Sequence, residues 1–297
     1  MKSKLMRLIK KLIRIYTFYT PIKRGKYILS EFVLKIGGLE QKEVPIKTKD
    51  GRRLVFPVGN ISYRFVYFIG DYEPTISEIF RKIIRRGNVC LDVGANVGWY
   101  STLFQRLVGE TGEVHAFEPV PRTFEFLKRN VNLNKTSDNI VLNNVALGDA
   151  EKQVDIHLFP DLPDGHASIS TFGRQRFETF PCRMITLDSY LDERNISNVN
   201  LVKIDIEGAE LMMLKGASKL FMQKILPILE IEMALATSKS FGYTPNDLIE
   251  FLRSKADYDF YAIDEAKNKL FRIEGFRPED IGANVLCVPR NYDLEIN

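Results

Sequence analysis

The sequence predicts an α/β fold: a doubly wound, seven-stranded, mostly parallel sheet with an N-terminal helical and β appendage. Three observations carry that expectation. Apolar runs of strand length recur at Val89–Val93, Val114–Phe117, Ile140–Val145, Leu201–Ile206 and Ile225–Glu232, and near-continuous apolar runs suit strands buried on both faces. Segments of helical period alternate with them, as at Trp99–Val108 and Arg122–Asn132. The first of these strands also runs into a turn, Asp92-Val-Gly94-Ala-Asn-Val-Gly98, that opens a helix. In such sheets a ligand sits outside the carboxyl ends of the strands.

The chain divides at about residue 73. Residues 1–73 hold the appendage, and residues 74–297 hold the sheet domain. In the first thirty residues Leu5, Leu8, Ile9, Leu12, Ile13 and Tyr16 recur at helical spacing between lysines and arginines. This is a basic amphipathic helix. Charges break its apolar run well short of a membrane span, and it lacks the apolar core and cleavage site of a secretory signal. Two readings remain: contact of residues 1–26 with an anionic membrane surface, or packing on its own domain. The segment Glu43–Val66 reads as a small β region with two strands about the Lys49-Asp-Gly51 turn. Glu73–Arg86 reads as a helix with Pro74 near its start and Gly87 at its end.

After the second strand, Pro119 precedes the helix Arg122–Asn132, and Ile140–Val145 is the third strand. Val154–Phe159 is a further strand. Pro160–Pro181 has no clear period and has the length of a lid or a binding loop. Leu201–Ile206 is the fourth central strand, and the buried Lys203 within it requires a carboxylate partner or the sheet edge. Ile225–Glu232 is the fifth. Thr244-Pro-Asn-Asp247 starts a helix that runs to about Lys255. Tyr258–Ile263 and Asn284–Val288 close the sheet, joined by a polar hairpin-like segment.

At 297 residues and 45% hydrophobic content the chain can build a full core. Its net charge of +4 is local. Residues 1–30 hold nine lysines and arginines and no acid, leaving 33 bases against 38 acids elsewhere. A mildly acidic body argues against a nucleic-acid-binding face on the sheet domain. Cys90, Cys182 and Cys287 show neither metal spacing nor a disulfide framework, which sets a reducing, cytoplasmic setting as the default.

The glycine spacing selects the ligand. A dinucleotide turn reads G-x-G-x-x-G, whereas this one reads D-x-G-x-x-x-G and lacks the central glycine. An acid beside the turn repels a pyrophosphate and suits a ligand with an ammonium group and no phosphate, such as S-adenosylmethionine. Glu118 ends the next strand, 26 residues after Asp92, where an acid can accept both ribose hydroxyls.

The motifs LDVGANVGWYS (91–101), HAFEPVPRTFEFLKRNVNLN (115–134), NNVALGD (143–149), ITLDSYL (185–191) and LVKIDIEGAELMMLKGA (201–217) resemble the FkbM-type methyltransferases. GHASIS (165–170) resembles the serine-bearing strand of that family's middle loop. The resemblance implies a class I methyltransferase fold and an S-adenosylmethionine-dependent O-methyltransferase. Its acceptor would be a hydroxyl of a sugar, a glycolipid or polysaccharide, or a natural product.

The expected cofactor-binding residues are Asp92, Gly94, Ala95, Asn96, Gly98, Glu118, Asn144, Ala146 and Asp205. The expected catalytic residues are Asp205, Glu207 and His166, because an alcohol acceptor loses a proton as its bond to the methyl forms. No metal is required, although Asp205 with Glu232 could offer hard oxygen ligands to Mg²⁺. His115 and His157 lie in apolar strand-like stretches and read as structural. The rival functions are a cofactor-binding partner protein without catalysis and a methyltransferase acting on RNA or protein.

Overall fold

A computed structural model describes residues 8–9, 12–13, 15–18, 29, 43–57, 61–134, 137–159, 167–277, 279–280, 282–290 and 292. The Lys49-Asp-Gly51 turn makes the expected hairpin: β1 (Glu43–Lys47) pairs antiparallel with β2 (Arg53–Pro57). The β region ends there. Ile61–Ile69 is a helix, α1, instead of a continuation of the β region to Val66. Its β-branched and aromatic residues favour strands, but burial of Val66 and Phe68 on the neighbouring core overrides that weak preference. Helix α2 (Pro74–Ile83) has Pro74 in its first turn and buries Ile76, Ile79, Phe80 and Ile83 on one face.

The main sheet then begins with β3 (Val89–Val93), α3 (Trp99–Val108), β4 (Glu113–Phe117), α4 (Pro121–Leu133) and β5 (Ile140–Asn143). The middle of the chain supplies β6 (Ala146–Leu147), β7 (Lys152–Leu158), β8 (Ala167–Ser168), β9 (Glu178–Ile185) and α5 (Leu187–Glu193). The sheet resumes with β10 (Leu201–Ile204), α6 (Glu210–Lys215), α7 (Ser218–Phe221), β11 (Ile228–Ala234), α8 (Leu235–Ser238) and α9 (Pro245–Lys255). It closes with β12 (Tyr258–Asp264), β13 (Lys269–Ile273) and β14 (Gly282–Pro289).

The order across the sheet is β13-β12-β14-β11-β10-β3-β4-β5. The five strands from β5 to β11 are parallel, and β14 runs antiparallel between β11 and β12. The sheet therefore has eight strands, not the seven expected. The extra one, β13, comes from the polar segment after Ile263. It pairs only with β12, so most of its side chains face solvent and Phe271 is exposed. An edge strand of this kind carries little hydrophobic period to read.

A second sheet, β6-β9-β7-β8, takes up part of the stretch expected to be irregular. Pro181 lies inside β9, opposite Asp155 of β7. Strand β6 meets β9 only at Met184 and Ile185, so the missing N–H of Pro181 breaks no bond on that side. Thr186 caps α5 by accepting the Ser189 N–H.

The core lies on both faces of the parallel strands. Leu91, Val93, Val202 and Ile204 pack towards α6 and α9, while Cys90 and Leu201 face Phe80 and Phe104 on α2 and α3. Ile46, Leu54 and Phe56 of the hairpin join this second cluster. Two asparagines one turn apart, Asn130 on α4 and Asn134 capping its end, complete the attachment by serving as a strand partner for β2. The Asn130 amide accepts the Val55 N–H at 2.6 Å and donates to the Val55 carbonyl at 3.1 Å. It also donates to the Val97 carbonyl at 2.7 Å. The Asn134 amide makes the same pair with Arg53.

The lysines and arginines of residues 1–26, on which contact with an anionic surface would depend, lie outside the described residues. Of the described ones, Ile13 packs near Phe68, and Leu8, Leu12 and Ile15 are exposed. Among the described residues no helix is long and apolar enough to cross a membrane. The three cysteines are buried and free.

Asn130 is fully buried and satisfies three backbone groups at once. Asn130→Ala should therefore cost about 2–3 kcal/mol in urea unfolding, because each orphaned buried group carries a desolvation penalty. A loss below about 0.5 kcal/mol, the usual size for an uninvolved surface position, would refute the bridging role.

Candidate functional site

The turn after β3 is shaped by what it touches. Gly94 has φ +82°, and a Cβ there would lie 1.8 Å from the Asp205 carbonyl oxygen, so only glycine lets this turn press against the loop after β10. The N–H groups of Gly94 and Ala95 both donate to the Phe117 carbonyl. Gly98 has φ +88° and faces Leu127, which a Cβ would meet at 2.7 Å, so it seats α3 against α4. Gly94, Ala95 and Asn96 line a cavity of about 280 Å³. Gly98 and Asp92 do not: Asp92 is buried behind the turn, where the Ser101 hydroxyl donates to it.

Glu118 reaches the same cavity from the end of β4. One carboxylate oxygen accepts the Asn96 N–H at 2.9 Å and the other accepts the Val120 N–H at 2.9 Å. Burial raises its pKa to about 7, against the pull of those two donors. Beyond it, Val145, Ala146 and Leu147 form an apolar wall. Asn144 does not line the cavity. Its amide donates to the Glu118 and Pro119 carbonyls at 2.8 and 3.0 Å, which fixes the backbone behind Glu118.

The opposite wall is acidic. Lys203 is buried in β10 and has the carboxylate partner its position demands: Nζ donates to Asp205 Oδ2 at 2.8 Å and lies 3.9 Å from Glu230. It also sits over the Tyr100 ring at 4.9 Å. Burial alone would lower its pKa, but Asp205, Glu230, Glu73 and Asp92 outweigh burial and hold it well above the usual value. Asp205 and Glu207 line the cavity together with Glu232, and carboxylate oxygens of the three lie within 4.8 Å of one another. Burial, reinforced by Asp205 and Glu210, pushes the Glu232 pKa up. Ser168 of β8 donates to the Glu207 carbonyl at 3.0 Å, so the second sheet supports the acidic loop. His166 lies outside the described residues. His115 meets the Tyr190 hydroxyl at 2.8 Å and His157 meets Thr179 at 3.1 Å, and neither lines the cavity.

Sequence reasoning missed the third wall. Tyr63, Tyr72, Glu73, Trp99 and Tyr100 line it, drawn from α1, the start of α2 and the start of α3. The Tyr100 hydroxyl donates to Glu73 Oε2 at 2.6 Å, and burial raises the Glu73 pKa to about 7. Aromatic residues and an acid before a helix look structural in a sequence. The one available signal was Pro74, which steers the preceding residue away from the helical region.

Among the described residues five carboxylates and one ammonium line the cavity, and that ammonium is already paired. Such a site attracts a cation and rejects a phosphate.

Glu230, beneath this wall, is fully buried with neither carboxylate oxygen hydrogen-bonded among the described residues. Burial, opposed by Lys203, raises its pKa from 4.5 to about 8. Between those values the folded chain keeps a proton that the unfolded chain has released, so stability falls as pH rises through that window. Glu73 and Glu118 add to the same slope up to about 7. From about pH 6 to about pH 8.5 the melting temperature of Glu230→Gln should fall less than that of the parent chain, by roughly 3–6 °C. Equal falls would reject a protonated Glu230.

The Methyltransferase FkbM domain matches residues 92–260. The hexuronic acid methyltransferase AglP of Haloferax volcanii is 26% identical over 180 residues, which cover 61% of this chain and 67% of that protein. The 31-O-demethyl-FK506 methyltransferase FkbM of Streptomyces tacrolimicus is 28% identical over 160 residues, covering 45% of this chain and 60% of its own length. Among solved structures, a SAM-dependent O-methyltransferase from Thermotoga maritima covers 89% of this chain and 83% of its own, with a TM-score of 0.40 and 11% identity. The domain match begins at the glycine turn and ends in the sixth strand of the main sheet, spanning more than half of the chain, and the chain therefore belongs to the FkbM methyltransferase domain family.

Proposed function

We propose that the chain transfers a methyl group from S-adenosylmethionine to a hydroxyl of a sugar, a glycolipid or polysaccharide, or a natural product. One juxtaposition supports this most: the glycine turn, Glu118 and the Asp205–Glu207 loop open on one cavity. The residues there fit the cofactor. The lining is acidic, holds no unpaired cation among the described residues, and has an apolar wall beside a buried carboxylate. The relatives' names, a hexuronic acid and a 31-O-demethyl acceptor, support oxygen as the atom methylated.

When bound, S-adenosylmethionine supplies an electrophilic methyl on a sulfonium. Each Glu118 oxygen keeps acceptor capacity after its one backbone bond, and together they would hold the ribose hydroxyls. Gly94, Ala95 and Asn96 would bring the backbone beside the ligand, and Ala146 with its neighbours would offer the adenine an apolar wall. Asp92, Gly98 and Asn144 hold this frame from behind. Asp205 is fixed through Oδ2 by Lys203, which leaves Oδ1 to orient the acceptor hydroxyl and take its proton. Glu207 borders the same space, and His166 is the parallel candidate for the base. Alignment of the acceptor with the bond being broken supplies much of the rate in such displacements.

Calorimetry should show binding of S-adenosylmethionine and S-adenosylhomocysteine and no heat with NAD, with Glu118→Ala losing about 1–3 kcal/mol. Tighter binding of NAD would reject the cofactor assignment.

Turnover is to be measured with hexuronic acid-containing glycans and polyketide-like alcohols as acceptors. Asp205→Asn should lower it by roughly 10²–10⁴-fold and barely change cofactor affinity. Full turnover in this variant would sink the Asp205 assignment, and loss in His166→Ala alone would move the role there. Loss on chelation, restored by Mg²⁺, would instead make Asp205, Glu207 and Glu232 metal ligands.

A further inference from the structure

Glu73 is the cavity acid with no assigned work. It stands just before α2 with φ +43° and ψ +65°, a left-handed conformation that non-glycine residues rarely adopt. The Tyr100 hydroxyl holds Oε2, while Oε1 has no hydrogen-bond partner among the described residues. Lys203, whose field reaches Glu73, makes its own hydrogen bond to Asp205. Tyr100 belongs to the first turn of α3, directly after the glycine turn, so the Glu73 carboxylate is anchored beside that turn. Of the charged groups felt there, Lys203 and Asp205 belong to β10 and the loop after it, which lie across β3 from β4 and Glu118, while Glu265, just after β12, is held by the Thr75 and Ile76 N–H groups. A ligand held at Glu118 by its ribose and extending across the end of β3 would bring its aliphatic tail to this flank.

We propose that Glu73 is the acidic half of an ammonium-binding subsite, receiving at Oε1 the primary ammonium of the cofactor's amino-acid tail. Tyr100 is the positioning residue, since its hydroxyl occupies the other oxygen and orients the free one. The inference rests on the S-adenosylmethionine reading above.

Three thioether ligands test it by calorimetry on the full chain. S-adenosylhomocysteine carries the whole tail, S-adenosyl-3-thiopropylamine keeps the amine without the carboxylate, and 5′-methylthioadenosine lacks both. On the unmutated chain the amine analogue should bind roughly 10- to 100-fold more tightly than 5′-methylthioadenosine, as expected for a hydrogen bond between charged groups. Glu73→Gln should weaken S-adenosylhomocysteine by a similar factor and leave 5′-methylthioadenosine within about twofold. Tyr100→Phe should act in the same direction but less strongly. Equal affinity of the unmutated chain for the amine analogue and 5′-methylthioadenosine would overturn the subsite, with no reliance on a variant folding. Equal weakening of all three ligands in Glu73→Gln would overturn it in favour of a structural role, and unchanged S-adenosylhomocysteine affinity would turn Glu73 towards the acceptor. If the unmutated chain binds none of the three, the cofactor reading itself fails.

Discussion

The arrangement of the site depends on one buried ammonium. Lys203 sits in the middle of the sheet with its charge removed from water, and burial of an unpaired charge there would be prohibitive. Its neighbours answer that demand from four directions. Asp205 comes directly after the same strand, Glu230 from β11, Glu73 from just before α2, and Asp92 from β3. The Tyr100 ring offers its face as well. A single cation therefore collects the ends of separate elements around one point, and the acids it collects are in part those that line the cavity. The pair with Asp205 does more than stabilise. It fixes one carboxylate oxygen of a residue that lines the cavity and leaves the other outside that bond.

The same cluster explains the sign of the site. Acids outnumber bases around Lys203, so the excess negative charge is relieved either by holding protons, as at Glu230, or by admitting a cation. A pocket built this way selects its ligand by charge before it selects by shape. The aromatic wall of Tyr63, Tyr72 and Trp99 then adds flat, largely apolar faces to that charged lining.

Much of this was legible in the sequence wherever a short-range rule applied. The strand and turn around Gly94, the position of Glu118 at the end of its strand and the helix start at Thr244 depend on residues a few positions apart, and each of these elements formed where it was read. The need of Lys203 for a partner was equally legible, because an interior charge must be answered whatever the fold. Long-range contacts were not. Nothing near Glu73 announces that Tyr100 will meet its carboxylate, and Asp92 looks the same in a sequence whether it faces a ligand or Ser101. The strand β13 was obscured because an edge needs no continuous apolar run, and β9 because a proline sits within it. The helix α1 was misread because its residue types favour the strand it does not form.

The two asparagines at the end of α4 carry a consequence for how the molecule is made. Strand β2 is completed on one side by amides that lie 75 and 81 residues further along the chain. On a ribosome the hairpin emerges long before α4 does, and for that interval the backbone of Arg53 and Val55 is an open edge next to the apolar Leu54 and Phe56. Such an edge pairs readily with any other exposed strand. The same asparagines that tie the hairpin to the turn after β3 thus set the moment at which a nascent chain stops being prone to sticking to its neighbours.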